Sequence, residues 1–408
     1  MSGRRLLVLI TAVSLIVAAA IAAPVFAQQP DKPKNGSSSI KHPPLAAGKS
    51  WLDSYWFHPL PPQGKAPKGY TDVEGSLMPE DCGLCHEKQL SEWMTSRHSM
   101  SMGHGVMGQL SFPWLKPSEQ IACQNCHAPL YEQYPYINAN GSVIRNRKYD
   151  EQLRHQGVAC AGCHVRKQVR YGPPAKNWVE PEAPHGGFVP IKDFGRSEFC
   201  KPCHQFNDGE RRVNGKLLQD TYNQWKASPA AAEGKSCADC HMPDRSHTFR
   251  GVHSQRIVKD GVTITIEKEI NSATLKVKNT GTGHKFPTYV TPKISVTGKV
   301  VRLDGTVVEN TTIEHVIQWK VGLDMKTEYF DTRLDPGETL RCYFKFPEEY
   351  SGNIYEIEIM VYPDEYYSRF FASIVVDKPE GIDINLIKKA LEETEKSPYS
   401  IYKRRIGF

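Results

Sequence analysis

Five times before residue 242 the chain spells Cys-x-x-Cys-His: Cys82–Cys85–His86, Cys123–Cys126–His127, Cys160–Cys163–His164, Cys200–Cys203–His204 and Cys237–Cys240–His241. Ten of the eleven cysteines are used in this way. Two thiols one helical turn apart can add to the two vinyl groups of one porphyrin, and the adjacent imidazole is then held under the ring, where its nitrogen binds the iron. Five complete repeats predict five covalently bound haem c groups, each with its iron. Zinc ribbons also use paired Cys-x-x-Cys motifs, and exported thiols form disulfides. Neither requires a histidine after every second cysteine, and a two-residue gap makes a poor structural disulfide.

This repeat limits what the chain can fold into. Between about residues 76 and 254 there is one haem per about 36 residues, too few to build a separate core around each, so the porphyrins must supply much of the buried apolar surface. Short helices and little sheet are expected there. One helix is expected at Glu87–Trp93 after the first motif and another at Tyr222–Lys226 behind Asp220. Pro-rich loops such as Tyr171-Gly172-Pro173-Pro174 fill the remainder.

Before the first motif, residues 1–27 read as a secretory signal: Arg4 and Arg5, an apolar run from Leu6 to Ala23, and Val25-Phe26-Ala27 ahead of a cleavage point. The general secretion route fits haem attachment outside the cytoplasmic membrane, so the expected location is periplasmic or extracellular. No later segment is apolar enough to span a bilayer, and the mature chain has no span unless the signal is retained. Residues 28–75 are rich in Pro, Gly, Ser and Lys and read as an extended arm, with Trp51, Tyr55 and Trp56 laying part of it on the folded body.

The formal charge of +6 falls to +4 when the two signal arginines are removed. Haem propionates then bring the holoprotein near neutrality or below it, so the basic balance gives no support to nucleic-acid binding.

After residue 254 the hydrophobic period changes to two. Val262–Ile266, Ala273–Val277 and Ile294–Thr297 alternate as half-buried strands do. Arg302-Leu303-Asp304-Gly305-Thr306 reads as a hairpin turn. Further strands are expected at Val316–Val321, Leu340–Phe346, Ile354–Val361 and Phe370–Val376. A helix is expected after Asp383, with Ile384, Ile387 and Leu391 on one face, ending before Pro398. The predicted class is α+β: a multihaem domain over 76–254, an antiparallel β-sandwich over 255–378, and a C-terminal helix and tail over 379–408.

The distal face of each iron decides between electron transfer and chemistry. Ten histidines lie outside the motifs. His98, His185, His247, His253 and His284 are the expected sixth ligands. His247 and His253 follow the fifth motif so closely that they are expected to reach neighbouring haems. His284, in the loop Thr280-Gly281-Thr282-Gly283-His284, is expected to dock the strand domain on the haem domain, since flanking glycines allow close approach. His315 and Cys342 read as structural. Met94, Met100, Met102 and Met107 read as porphyrin packing rather than ligands.

Four phrases resemble the multihaem cytochromes of the c554 type: Trp93-x-x-Ser96-x-His98, Gly157-Val158-Ala159-Cys160, Ser197-Glu198-Phe199-Cys200 running to Cys203-His204-Gln205-Phe206, and Gly234-Lys235-Ser236-Cys237 running to Cys240-His241-Met242-Pro243. The resemblance covers about residues 76–254 and implies a periplasmic or extracellular electron carrier with mostly bis-histidine haems. Related haem arrangements occur in hydroxylamine oxidoreductase and pentahaem nitrite reductase. The family's namesake carries four haems, so the fifth haem and the strand domain are additions. Nitrite reductases of the pentahaem class usually place lysine in one motif, whereas all five motifs here end in histidine. The expected role is a relay between redox partners, a quinone-linked donor and an external acceptor, rather than an enzyme. The competing role is an oxidoreductase for a small nitrogen or sulfur compound at one five-coordinate iron, with His104, Arg154 and Lys285 as candidate proton-delivering groups. Self-assembly through the arm, into an oligomer or filament, is a third expectation.

Overall fold

The half that carries the Cys-x-x-Cys-His motifs is built from short pieces. In the computed structural model, which describes residues 51–174 and 184–408, its helices include α1 (Glu87–Met94), α2 (His104–Leu110), α3 (Pro117–His127) and α4 (Thr221–Lys226). The signal segment, the first part of the arm and His42 lie outside the described residues. Two- and three-stranded ladders join these helices, among them Val165–Arg166 paired with Val169–Gly172. Asp220 precedes α4 but makes no side-chain cap; its carboxylate accepts from Gln205 and Asn223 instead.

The described part of the arm is engaged within its own chain. Leu52, Tyr55, Trp56 and Leu60 are buried in one cluster with Leu130, Leu153, Ala161, Val165 and Tyr171. Farther along, Thr71 and Glu74 form a capping box for the turn Asp72–Gly75.

A helix α5 (Gln255–Gly261) leads into strands β1 (Val262–Lys268), β2 (Ser272–Asn279), β3 (Lys293–Val301), β4 (Ile313–Val321), β5 (Glu328–Asp331), β6 (Thr339–Lys345) and β7 (Ile354–Tyr362). Helices α6 (Glu365–Asp377) and α7 (Ile384–Glu395) follow, then strand β8 (Tyr399–Gly407). Two antiparallel sheets result, one ordered β5-β4-β3-β7-β8 and the other β6-β2-β1. Alternate residues of each sheet, including Leu275, Val277, Ile294, Val296, Ile357 and Ile359, close one continuous core. Gly298 on β3 is required by this packing, because a Cβ there would lie 2.5 Å from the Phe344 ring and 2.7 Å from that of Tyr355. All the described residues belong to one unit, Ala47–Phe408.

Two expectations about this half are corrected. Phe370–Val376 is not a strand but part of α6, because Tyr366, Phe371 and Ile374 recur at helical spacing and are its buried face. The C-terminal tail, for which no strand was expected, forms β8, which completes the large sheet against β7, from Ile354 opposite Gly407 to Val361 opposite Tyr399. Its basic run hid this, since Lys403 and Arg405 are neutralised across the strands by Glu356 and Glu358. The helix expected after Asp383 is α7, and the Asp383 carboxylate accepts from the N–H groups of Asn385 and Leu386 at 3.1 and 3.2 Å.

Candidate haem sites

Each motif lies on or at the end of a short helical turn, which sets its two thiols and its imidazole on one side. All eleven cysteines are free, and no group of three or more potential ligands gathers around a metal-sized point among the described residues. The disulfide and zinc-ribbon alternatives therefore have no counterpart here. The five motifs are contiguous. The thiol of Cys82 hydrogen-bonds that of Cys160, Cys126 bonds Cys203, and Cys200 bonds Cys237. Cys163 lies within electrostatic reach of Cys200 and Cys203, which ties the third motif to the fourth.

Four motif histidines each face a second imidazole. His86 faces His185 with ring centres 6.4 Å apart, and His204 faces His98 at 6.2 Å. His164 faces His247 at 6.2 Å, and His241 faces His284 at 6.4 Å. An imidazole nitrogen about 2 Å from a metal puts its ring centre about 3 Å away, so two imidazoles on opposite sides of one ion stand about 6 Å apart. The observed gaps match that value and exceed van der Waals contact between rings. The partners come from far along the chain: His98 to the fourth motif, His185 to the first, His247 to the third.

Neighbouring groups fix the tautomer. The Nδ1 atoms of His127, His164, His241, His185 and His284 lie 2.6–2.9 Å from the carbonyl oxygens of Ser101, Tyr171, Arg250, Gly187 and Lys285. His204 Nδ1 is 2.9 Å from the hydroxyl of Tyr289. A proton held on Nδ1 leaves Nε2 with its lone pair free for a metal. Burial keeps four of these imidazoles neutral as well, pushing His98 down to about 3 and His164, His204 and His284 down to about 4. Both features suit iron ligation, so the residues present fit the group.

Each distal histidine has its own scaffold. His98 is clamped by the 157–158 segment, whose Val158 N–H donates to His98 O at 3.1 Å while Trp93 Nε1 donates to Val158 O at 2.9 Å. The arm holds His185: its N–H donates to the Glu74 carboxylate at 2.9 Å, and Tyr70 OH donates to its carbonyl at 2.6 Å. The His247 N–H donates to Glu92 of α1 at 2.8 Å. His284 is carried by the β2–β3 loop, where Asn279 and Thr282 both donate to its carbonyl and Lys285 N–H donates to Gln224 on α4.

The second motif differs. His127 carries an Nδ1–carbonyl contact as His164 and His241 do, yet among the described residues no imidazole faces it. His253, expected as a sixth ligand, instead places Nε2 2.9 Å from the carboxylate of Asp364, just before α6. Arg211 and Tyr367 of α6 lie within electrostatic reach of Cys123. His104 pairs with Glu393 at 2.6 Å, and Lys285 pairs with Asp335. Met94 and Met100 are exposed, whereas Met102 is buried in a cluster with Leu110 and Ala128 that Met107 flanks.

Tyr289 escaped the sequence reading, although it lies five residues after His284 in the same loop. The carbonyl acceptors escaped it too, since backbone groups leave no mark on residue type.

No family model matches this chain. The curated cytochrome c-552 of Aliarcobacter butzleri (strain RM4018) is 24% identical to it over 187 residues, 42% of this chain and 36% of the relative. The chain thus spans about a third of that relative's length. Among solved structures, the penta-heme cytochrome c552 from Thermochromatium tepidum matches with a TM-score of 0.56, covering 82% of this chain and 100% of that one at 17% identity. At this identity the likeness is one of fold: an α+β multihaem cytochrome architecture.

Proposed function

We propose that this chain is an exported pentahaem c-type cytochrome that relays single electrons between redox partners, a quinone-linked donor and an external acceptor. The ten motif cysteines would hold the haems, and His86, His127, His164, His204 and His241 would be their proximal ligands. His185, His247, His98 and His284 would be the distal ligands of the first, third, fourth and fifth. Haem c, when bound, supplies one-electron exchange at its iron. The observation that carries the reading is the set of four imidazole pairs at a metal-bridging distance.

The chain's own residues prepare this exchange. Buried neutral imidazoles with anchored Nδ1 atoms bind either oxidation state without moving, which keeps reorganisation small. Contiguous motifs bring the attachment points close enough for charge to pass from one to the next. Kinship with the c554 type belongs to this reading, carried by the phrases around His98 and the third to fifth motifs.

A second reading is supported by one observation, the lack of a second imidazole at His127 among the described residues. It assigns an open iron face to the second site, and with it reduction or oxidation of a small nitrogen or sulfur compound. The His253–Asp364 pair would then be a nearby proton carrier. Carbon monoxide titration of the reduced, full-length protein tests both readings. Five haems by mass with uptake of one carbon monoxide per chain is the expected result. Fewer haems would overturn the pentahaem reading, and no uptake would overturn the open site.

A further inference from the structure

Beside the arm lies a buried positive charge that no carboxylate among the described residues neutralises. Arg166, on the short strand Val165–Arg166, is 7% exposed. Three backbone carbonyls fix its guanidinium: Tyr55 O accepts from Nε at 2.9 Å, and Gly162 O and Val165 O accept from Nη1 at 2.9 and 2.7 Å. Carbonyls orient a cation without cancelling its charge. Nη2 is buried with no partner, and no carboxylate pairs with Arg166 among the described residues. An isolated buried charge is among the costliest arrangements a protein can hold, so an anion is missing from the account.

Other orphaned donors adjoin it. Trp56, 8% exposed, has an unpartnered Nε1, and both ring nitrogens of His58 are buried without partners. The Arg166 guanidinium is 3.9 Å from the centre of the Tyr55 ring and 5.0 Å from that of Trp56, and the Trp56 and His58 ring centres are 5.9 Å apart. The group abuts the third and fourth motifs: Tyr55 OH donates to Cys163 O at 2.7 Å, and Trp56 meets Phe199, next to Cys200, edge-on at 5.2 Å.

The local backbone is built to present these donors. Lys167 and Gln168, which turn the chain after Arg166, both hold positive φ, 50° and 65°. Gln63 of the arm pins that turn, its Oε1 accepting from Lys167 N–H at 2.7 Å. The arm therefore contributes two of the donors and holds the third in place.

We infer that Arg166, Trp56 and His58 form one anion-binding nest, completed by the arm, whose ligand is a carboxylate of the kind a porphyrin propionate carries. A planar guanidinium held on one edge offers its free edge to carboxylate oxygen, and the indole N–H and imidazole add directed donors. The arm is thus part of the cofactor site rather than a tether. A propionate as occupant rests on the haem reading above; a free carboxylate in the same nest does not.

The test uses full-length holoprotein as wild type, Arg166→Leu, Arg166→Lys and Trp56→Phe, with stepwise spectroelectrochemical reduction and calorimetric titration with sodium acetate. With a propionate in the nest, Arg166→Leu shifts one reduction step about tenfold toward the ferric form, equivalent to about 59 mV for one electron. Trp56→Phe shifts the same step less, Arg166→Lys restores most of it, and acetate does not bind. With a free carboxylate in the nest, wild type binds one acetate per chain and Arg166→Leu abolishes this. The inference is overturned if neither variant moves any step and acetate binds to none, or binds equally to all. Should Arg166→Leu not fold, Trp56→Phe, which keeps an aromatic ring but removes the indole N–H, carries the test. Haem number measured on the same samples separates the two failures: fewer than five sinks the cofactor reading, whereas five with no shift sinks the nest alone.

Discussion

The two halves of the molecule solve the problem of burial differently. Residues 262–408 close a sandwich on their own side chains, a core running from Leu275 and Ile294 to Phe344 and Ile359. Residues 51–254 hold smaller apolar clusters, buried neutral histidines, and unmet donors at Trp56, His58 and Arg166. The first arrangement draws its apolar core from its own side chains. The second carries the haem motifs, and on the proposed function it is arranged around groups that the chain does not encode.

The most severe way to break this comparison is to replace all ten motif cysteines by serine in the full chain. The haem-binding half should lose cooperative folding and become protease-sensitive, while a fragment from about residue 255 onward survives with strand-type circular dichroism. A uniformly resistant protein would show that the haems add nothing to the fold. Ile359→Ala attacks the other half. It removes a fully buried side chain from the central strand β7, with an expected loss of about 2–5 kcal/mol in the thermal or denaturant unfolding of the sandwich. The haem absorption spectrum at room temperature should not change. A smaller effect is expected from Asp383→Ala, which deletes the cap of α7 and should cost about 1 kcal/mol of stability without altering the spectrum.

What the sequence revealed followed how local each signal was. The haem motifs are contiguous and their chemistry fixes their spacing, so they could be read outright. Strands such as Val262–Ile266 and Ile354–Val361 alternate cleanly and could be located to within a few residues. Phe370–Val376 was misread because a short apolar run carries both periods, and only packing against Ile387 and Phe112 selects the helix. β8 was missed because its charges balance only across strands. The histidines were harder still. Nothing near His98 says that it faces His204, 106 positions farther along the chain, or that His185 faces back to His86. His253 resembles its neighbour His247 in sequence, and only the fold gives it a carboxylate as partner. The nest at Arg166 was invisible because its donors are separated by more than a hundred residues.

The central claim is that, among the described residues, four sites pair two imidazoles while the second has one. Low-temperature electron paramagnetic resonance of the oxidised, full-length protein, with spins quantified per chain, tests it most directly. Four low-spin ferric centres and one high-spin centre are predicted; five low-spin centres would contradict the account.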